Sequence, residues 1–209
     1  VGTHALIQDP VDVANLGLVV IDEQHRFGTL QREALVRKGT SPHLLVMTAT
    51  PIPRSLALTL YGDLDLSIID EMPPGRTPVR TEIREDAARE KLYRFLRAEA
   101  ENGGRIFIVY PLIESSDSID ARAVTEYVKE MEKALSGLRI EVLHGRINSE
   151  ERDEVIRGFR SGEVQVLMAT TVIEVGIDIP EATVMVIESA ERFGLSQLHQ
   201  LSGRVGRGK

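Results

Sequence analysis

Apolar residues along this chain gather in short unbroken runs, separated by longer polar stretches with helical spacing. Residues 16–21 (LGLVVI) and 44–47 (LLVM) each end abruptly in polar residues, as strands buried on both faces of a parallel sheet do. The polar stretch 29–38 between them reads as a helix, and a further helix is expected after Pro51-Ile52-Pro53, running to Tyr61. From residue 87 the alternation is regular: helix 87–100, strand 105–110, helix 120–135, strand 139–143, helix 149–160, strands 164–169 and 182–188, helix 195–201. Strands alternating with helices predict a parallel α/β sheet. Val124, Val128, Met131 and Leu135 would share one helical face, as would Val155, Ile156 and Phe159. Asn148 to Glu151 has the form of a capping box opening the helix at 149.

This regularity is broken at 71–78 (EMPPGRTP), where three prolines and a glycine within six positions exclude both helix and central strand. The segment reads as an interdomain linker and divides the chain into 1–75 and 76–209. The two parts carry 5 basic against 9 acidic and 20 basic against 23 acidic residues, or −4 and −3, for a total of −7. Neither part is a basic module, so any nucleic-acid contact must be local rather than a bulk cationic field. With 42% hydrophobic and 27% charged residues the chain has the composition of an ordinary globular protein. Its lack of cysteine excludes disulfides, thiolate metal sites and a cysteine nucleophile. The five histidines are scattered without metal-ligand spacing, which argues against a histidine-based zinc site. No apolar run approaches the roughly 18 residues of a membrane helix, and a cytoplasmic location is expected. The chain opens at Val1 without an initiator methionine, reading like the interior of a folded unit and hence like a fragment.

Chemistry concentrates where strands end. Asp22-Glu23-Gln24-His25 directly follows the first apolar run, at the carboxyl end of a parallel sheet, where open α/β folds bind ligands. One carboxylate there can hold Mg²⁺ and its neighbour can orient or deprotonate an attacking water, the division of labour phosphoryl transfer needs. Thr48-Ala49-Thr50 follows the second run, and its hydroxyls can hydrogen-bond the same edge and relay its state. The stretch 169–180 (ATTVIEVGIDIP) leaves another strand and turns at Gly176, placing Thr170, Thr171 and Asp178 around one loop. In 200–207 (QLSGRVGR), Arg204 and Arg207 stand three apart and could reach one polyphosphate. The terminal GRVGRGK imitates the first part of a phosphate-cradling G-x-x-x-x-G-K loop. It is rejected because such a loop follows a strand and opens a helix, and no other candidate is present.

Together these segments resemble the superfamily 2 helicases, with DEQH as motif II, TAT as motif III, 169–180 as motif V and QLSGRVGR as motif VI. DEQHRFG, MTATPIPRSLALTLYGDLDLSIIDEMPPGR and ERFGLSQLHQLSGRVGRG resemble more particularly the RecG family of branched-DNA helicases. The resemblance implies an α/β fold, a partial first RecA-like domain at 1–75 followed by a nearly complete second one at 76–209 with a mostly parallel sheet. It implies ATP and Mg²⁺ as cofactors: Asp22 and Glu23 would serve the metal and the attacking water, and Gln24 and His25 would sense the nucleotide. Gly176, Asp178, Gln200, Arg204 and Arg207 would face ATP, with Arg207 as arginine finger. Gly2-Thr3-His4 looks like motif Ib, and Thr3, His4, His144, Arg146, Thr170 and Thr171 would touch the DNA backbone. Thr48 and Thr50 would couple nucleotide to DNA. The partner implied is branched double-stranded DNA, in recombination and repair, and exposed sheet edges predict self-association. Lacking motifs I and Ia, the chain alone is expected neither to hydrolyse ATP nor to unwind DNA. The competing readings are a transcription-repair coupling translocase and a non-enzymatic interaction module. The intact Asp22, Glu23, Arg204 and Arg207 argue against the second.

Overall fold

The run LVVI forms strand β1 (Leu18–Ile21) and HLLV forms β2 (His43–Val46). They pair in parallel, from Leu18 opposite His43 to Ile21 opposite Val46. The connecting helix α1 (Thr29–Val36) opens where the Gln31 side chain accepts the Gly28 N–H at 2.9 Å, and ends two residues short of the expected 38. Beyond its end Gly39 passes so close to the chain that a Cβ would lie 2.7 Å from the Leu16 carbonyl oxygen, which leaves glycine as the residue that fits. The expectation that these strands are buried on both faces is not met. Val19 and Ile21 are buried, at 6% and 2% exposure, whereas Leu18 and Val20 are 56% and 51% exposed and Leu45 49%. Side chains alternate across a strand, so a ladder covered on one face buries every second residue whatever the composition of the others.

The structure, a computed structural model, describes residues 1–24, 27–49, 64–72, 78–111, 117–144, 147–170 and 181–206, with the side chains of 117–125 and 170 left out. The helix expected after Pro53 and running to Tyr61 therefore lies outside the described residues, as does most of the linker at 71–78. The chain divides into two compact units, Val1–Leu66 and Ser67–Lys209.

In the second unit a 3-10 turn at Asp86–Ala88 leads into α2 (Arg89–Glu101), followed by β3 (Ile106–Tyr110), α3 (Asp117–Ala134), β4 (Ile140–Leu143), α4 (Ser149–Ser161), β5 (Val166–Thr170), β6 (Val184–Ile187) and α5 (Leu195–Ser202). Each matches an expected element to within three residues at either end. The four strands make one fully parallel sheet in the order β4-β5-β3-β6. The run IFIVY fills the second-last place, between β5 and β6, and four of its five residues are buried.

Period-two alternation sorts this run between two cores. Phe107 and Val109 join Leu143, Phe159, Leu167, Leu201 and Val205 on the face covered by α4 and α5. Ile106 and Ile108 join Leu96, Met131, Leu135 and Val166 on the face covered by α2 and α3. The result is a three-layer helix–sheet–helix sandwich, held mainly by apolar burial worth about 1.5–3 kcal/mol for each fully buried large side chain. The expected helical faces are in place. Met131 and Leu135 are buried with Val128 packed beside them, and Val155 and Ile156 pack beside Phe159. The side chain of Val124 is outside the described residues. Asn148 caps α4, its Oδ1 accepting the Glu151 N–H at 2.8 Å, and Gly162 ends the helix at φ 88°.

Candidate functional site

In the first unit the acidic loop and the threonine loop emerge from the same sheet edge. Asp22 follows the last residue of β1, and the ladder runs on past the strands: the Met47 N–H donates to the Ile21 carbonyl at 2.8 Å and the Gln24 N–H to the Met47 carbonyl at 3.2 Å. Asp22, Glu23, Gln24 and Thr48 are thus gathered at the carboxyl end of two parallel strands. Asp22 is exposed, with Oδ1 accepting the Glu23 N–H at 2.9 Å. Glu23 stands at φ 49°, a left-handed backbone in which its carboxylate departs from the direction a strand would give it. Gln24 is buried, and its Oε1 accepts from Arg32 at 3.4 Å. His25 and Thr50 lie outside the described residues.

The donor set fits Mg²⁺ bound in the manner typical of phosphoryl-transfer sites, through one or two carboxylates with the remaining positions taken by water and phosphate oxygens. A closed protein cage is a different matter, for among the described residues no group of three or more His, Asp or Glu side chains could hold a metal ion.

Thr3 and His4 sit at a short 3-10 turn (His4–Ile7), where Thr3 Oγ1 accepts the Ala5 N–H at 3.4 Å. The His4 ring stacks on Phe27, centroids 4.2 Å apart and planes 7° from parallel. Phe27 in turn donates its N–H to the Gln24 carbonyl at 2.8 Å. The structure therefore joins the Thr3–His4 turn to the acidic loop by a ring contact that no periodicity in the sequence signals.

In the second unit the remaining candidates are at the carboxyl ends of strands and after α5. His144 directly follows β4 and is exposed, its carbonyl accepting the Ile147 N–H at 3.2 Å. Thr170 is the last residue of β5, opposite Tyr110. Gln200 lies in the last turns of α5. Arg204 follows the helix rather than lying in it, between the buried Leu201 and Val205, its N–H donating to the Leu201 carbonyl at 2.9 Å. Gly206, at φ 68°, ties the segment down by donating to the Ala182 carbonyl at 3.1 Å. Arg146, Thr171, Gly176, Asp178 and Arg207 lie outside the described residues.

Sequence reasoning missed a polar cluster at the end of β6. Glu188, whose side chain is 13% exposed, accepts from Arg89 Nη2 at 3.3 Å and from the Tyr127 hydroxyl at 2.5 Å. Arg89 also bonds the Tyr93 hydroxyl at 3.2 Å and Asp86 at 3.0 Å, the Tyr93 hydroxyl donates to Glu130 at 2.8 Å, and Tyr110 packs on Tyr127 with centroids 4.6 Å apart. Burial pushes the Tyr93 hydroxyl up to about 12, and raises Tyr127 further, helped by its bond to Glu188. Arg89 is raised above its ordinary value, chiefly by its bond to Tyr93. Glu188 directly follows a strand, as Asp22 does, and that placement was the available signal. Its arginine stands 99 residues earlier.

A parallel-sheet edge bearing an acidic loop in one unit, and a parallel three-layer sandwich in the other, define an α/β protein of the RecA-like helicase class. The chain belongs to the helicase conserved C-terminal domain family, whose model matches residues 87–209. It is similar over all 209 residues to the ATP-dependent DNA helicase RecG of Synechocystis sp., at 55% identity, covering 100% of this chain and 25% of that protein. RecG of Thermotoga maritima is likewise 55% identical over 209 residues, covering 100% of this chain and 27% of that protein. The chain thus spans about a quarter of the length of these relatives. Among solved structures, RecG bound to a three-way DNA junction matches with TM-score 0.72 and 51% identity, over 100% of this chain and 26% of that one. Yeast Dbp5 bound to RNA and ADP BeF3 matches with TM-score 0.61 at 18% identity, over 98% of this chain and 54% of that one. At that identity the likeness concerns the fold alone.

Proposed function

We propose that this chain is the motor core of an ATP-driven helicase that remodels branched double-stranded DNA in recombination and repair, in the bacterial cytoplasm. The observation that carries the reading is the 55% identity to RecG over a match that spans all 209 residues of the chain. Asp22 and Glu23 hold Mg²⁺ and orient the attacking water, Gln24 and His25 sense the nucleotide, and Gly176, Asp178, Gln200, Arg204 and Arg207 face the triphosphate. Arg207 supplies transition-state charge as a finger, a role worth roughly 10³–10⁵ in rate where such a residue acts. Thr48 and Thr50 relay the nucleotide state. Thr3, His4, His144, Arg146, Thr170 and Thr171 contact phosphates, which positions the motor without reading sequence.

The test is ATP hydrolysis stimulated by forked DNA, measured for the chain and for a version joined to the phosphate-cradling loop that this sequence lacks. Hydrolysis is expected in the joined form alone and is expected to fall at least about a thousandfold with Arg207→Ala. Fork-stimulated hydrolysis by the 209-residue chain itself, or a joined form indifferent to DNA, would overturn the reading. The apolar face of β1 and β2, with Leu18, Val20 and Leu45 exposed, supports self-association of the isolated chain.

A further inference from the structure

The stack between His4 and Phe27 joins the two functional loops of the first unit, and it is used by none of the chemistry assigned above. We infer that Phe27 is a positioning residue that couples DNA contact at the Thr3–His4 turn to the nucleotide-sensing acidic loop. The inference rests on the helicase reading and deepens it.

A nearly parallel ring pair is a contact with a defined orientation: planes 7° apart and centroids 4.2 Å apart leave little room for the His4 ring to turn without moving its partner or breaking the stack. Phe27 is not free to follow by drifting. Its N–H is bonded to the Gln24 carbonyl at 2.8 Å, and Gln24 is itself buried and bonded through its N–H to the end of β2. Any reorientation of His4 on a phosphate is therefore passed to the peptide that carries Gln24, one residue past the left-handed Glu23. His4 and Phe27 are 23 positions apart and belong to different loops, so chain connectivity alone does not provide this link. Phe27 has no acid–base or ligand chemistry of its own, and a ring on an exposed histidine contributes little core burial. Its placement is explained by what it holds.

Coupling between two sites is reciprocal for binding, and this separates a positioning role from a merely structural one. In the full-length helicase carrying this chain, forked DNA should shift the dissociation constant of a non-hydrolysable ATP analogue, and the analogue should shift the DNA dissociation constant by the same factor. With Phe27→Leu, which keeps apolar bulk but removes the ring, the basal hydrolysis rate should persist while both effects shrink by at least about fivefold, the lower end of typical allosteric couplings. Phe27→Tyr should restore both. The thermal midpoint of each variant is recorded in parallel, and Phe27→Tyr and Phe27→Leu are expected to melt alike. Retention of both effects in Phe27→Leu overturns the inference alone. An unsubstituted protein whose hydrolysis ignores DNA overturns the helicase reading, and the inference with it.

Discussion

Glu188 shows how much one side chain can organise when its neighbours are mostly dry. Its carboxylate takes hydrogen bonds from Arg89 and Tyr127, and Arg89 extends the cluster to Asp86 and to Tyr93, whose hydroxyl donates to Glu130. Replacing it by glutamine leaves Arg89 facing a neutral amide, and Glu188→Gln is expected to lower the stability of the second unit by roughly 1–3 kcal/mol, read as a shift in urea midpoint. The tyrosines give a second test. Tyr93 is pushed up to about 12 in the fold by burial, against about 10 in an unfolded chain. Its neutral form is therefore favoured by folding, a contribution fully present below about pH 10 and lost as the pH rises through 12. The urea midpoint should fall across that window, and Tyr93→Phe should flatten the fall. An unchanged slope in the variant would remove Tyr93 as its cause. Arg89 and Tyr93 stand four apart on one helix, but their link to Glu188 is not legible in the sequence, because an arginine 99 residues from its carboxylate leaves no local pattern.

Elements, by contrast, announce themselves. The capping box that Asn148 to Glu151 predicts forms in its first half, the Asn148 side-chain oxygen accepting the Glu151 amide at 2.8 Å, while the Glu151 carboxylate takes the Asn148 side-chain amide at 3.4 Å. Asn148→Ala should destabilise the second unit by about 1 kcal/mol, whereas Gly162→Ala should also destabilise it because φ 88° is strained for a residue with a Cβ. Both are measurable by chemical denaturation. The misreading of β1 and β2 is equally instructive. Continuous apolar runs predict burial on both faces, yet Leu18, Val20 and Leu45 face outward. An apolar residue in a strand is compatible with either outcome, since what decides burial is whether another layer covers that face. If the open face drives self-association, Val20→Lys should move the sedimentation coefficient of the isolated chain to that of a monomer. Identical sedimentation of variant and parent would assign any association to another surface.

At the scale of the molecule, both apolar cores identified in the sandwich draw their residues from the second unit alone. Residues 67–209 should therefore fold by themselves and unfold in one cooperative transition close in temperature to that of the sandwich within the whole chain, as followed by circular dichroism. A non-cooperative melt would mean that the first unit supplies part of the fold. From the sequence alone came the elements, their alternation, the α/β class and the acidic and threonine loops at strand ends, because hydrophobic periodicity and turn chemistry act over a few residues and are written along the chain. Tertiary structure alone decided that β3 stands between β5 and β6, that Arg89 meets Glu188, and that Phe27 lies against His4. Strand order and ion pairing are choices among distant partners of similar local character, and packing makes them: many orders satisfy the same alternation, and the one found sets IFIVY inside the sheet with an apolar core on each face.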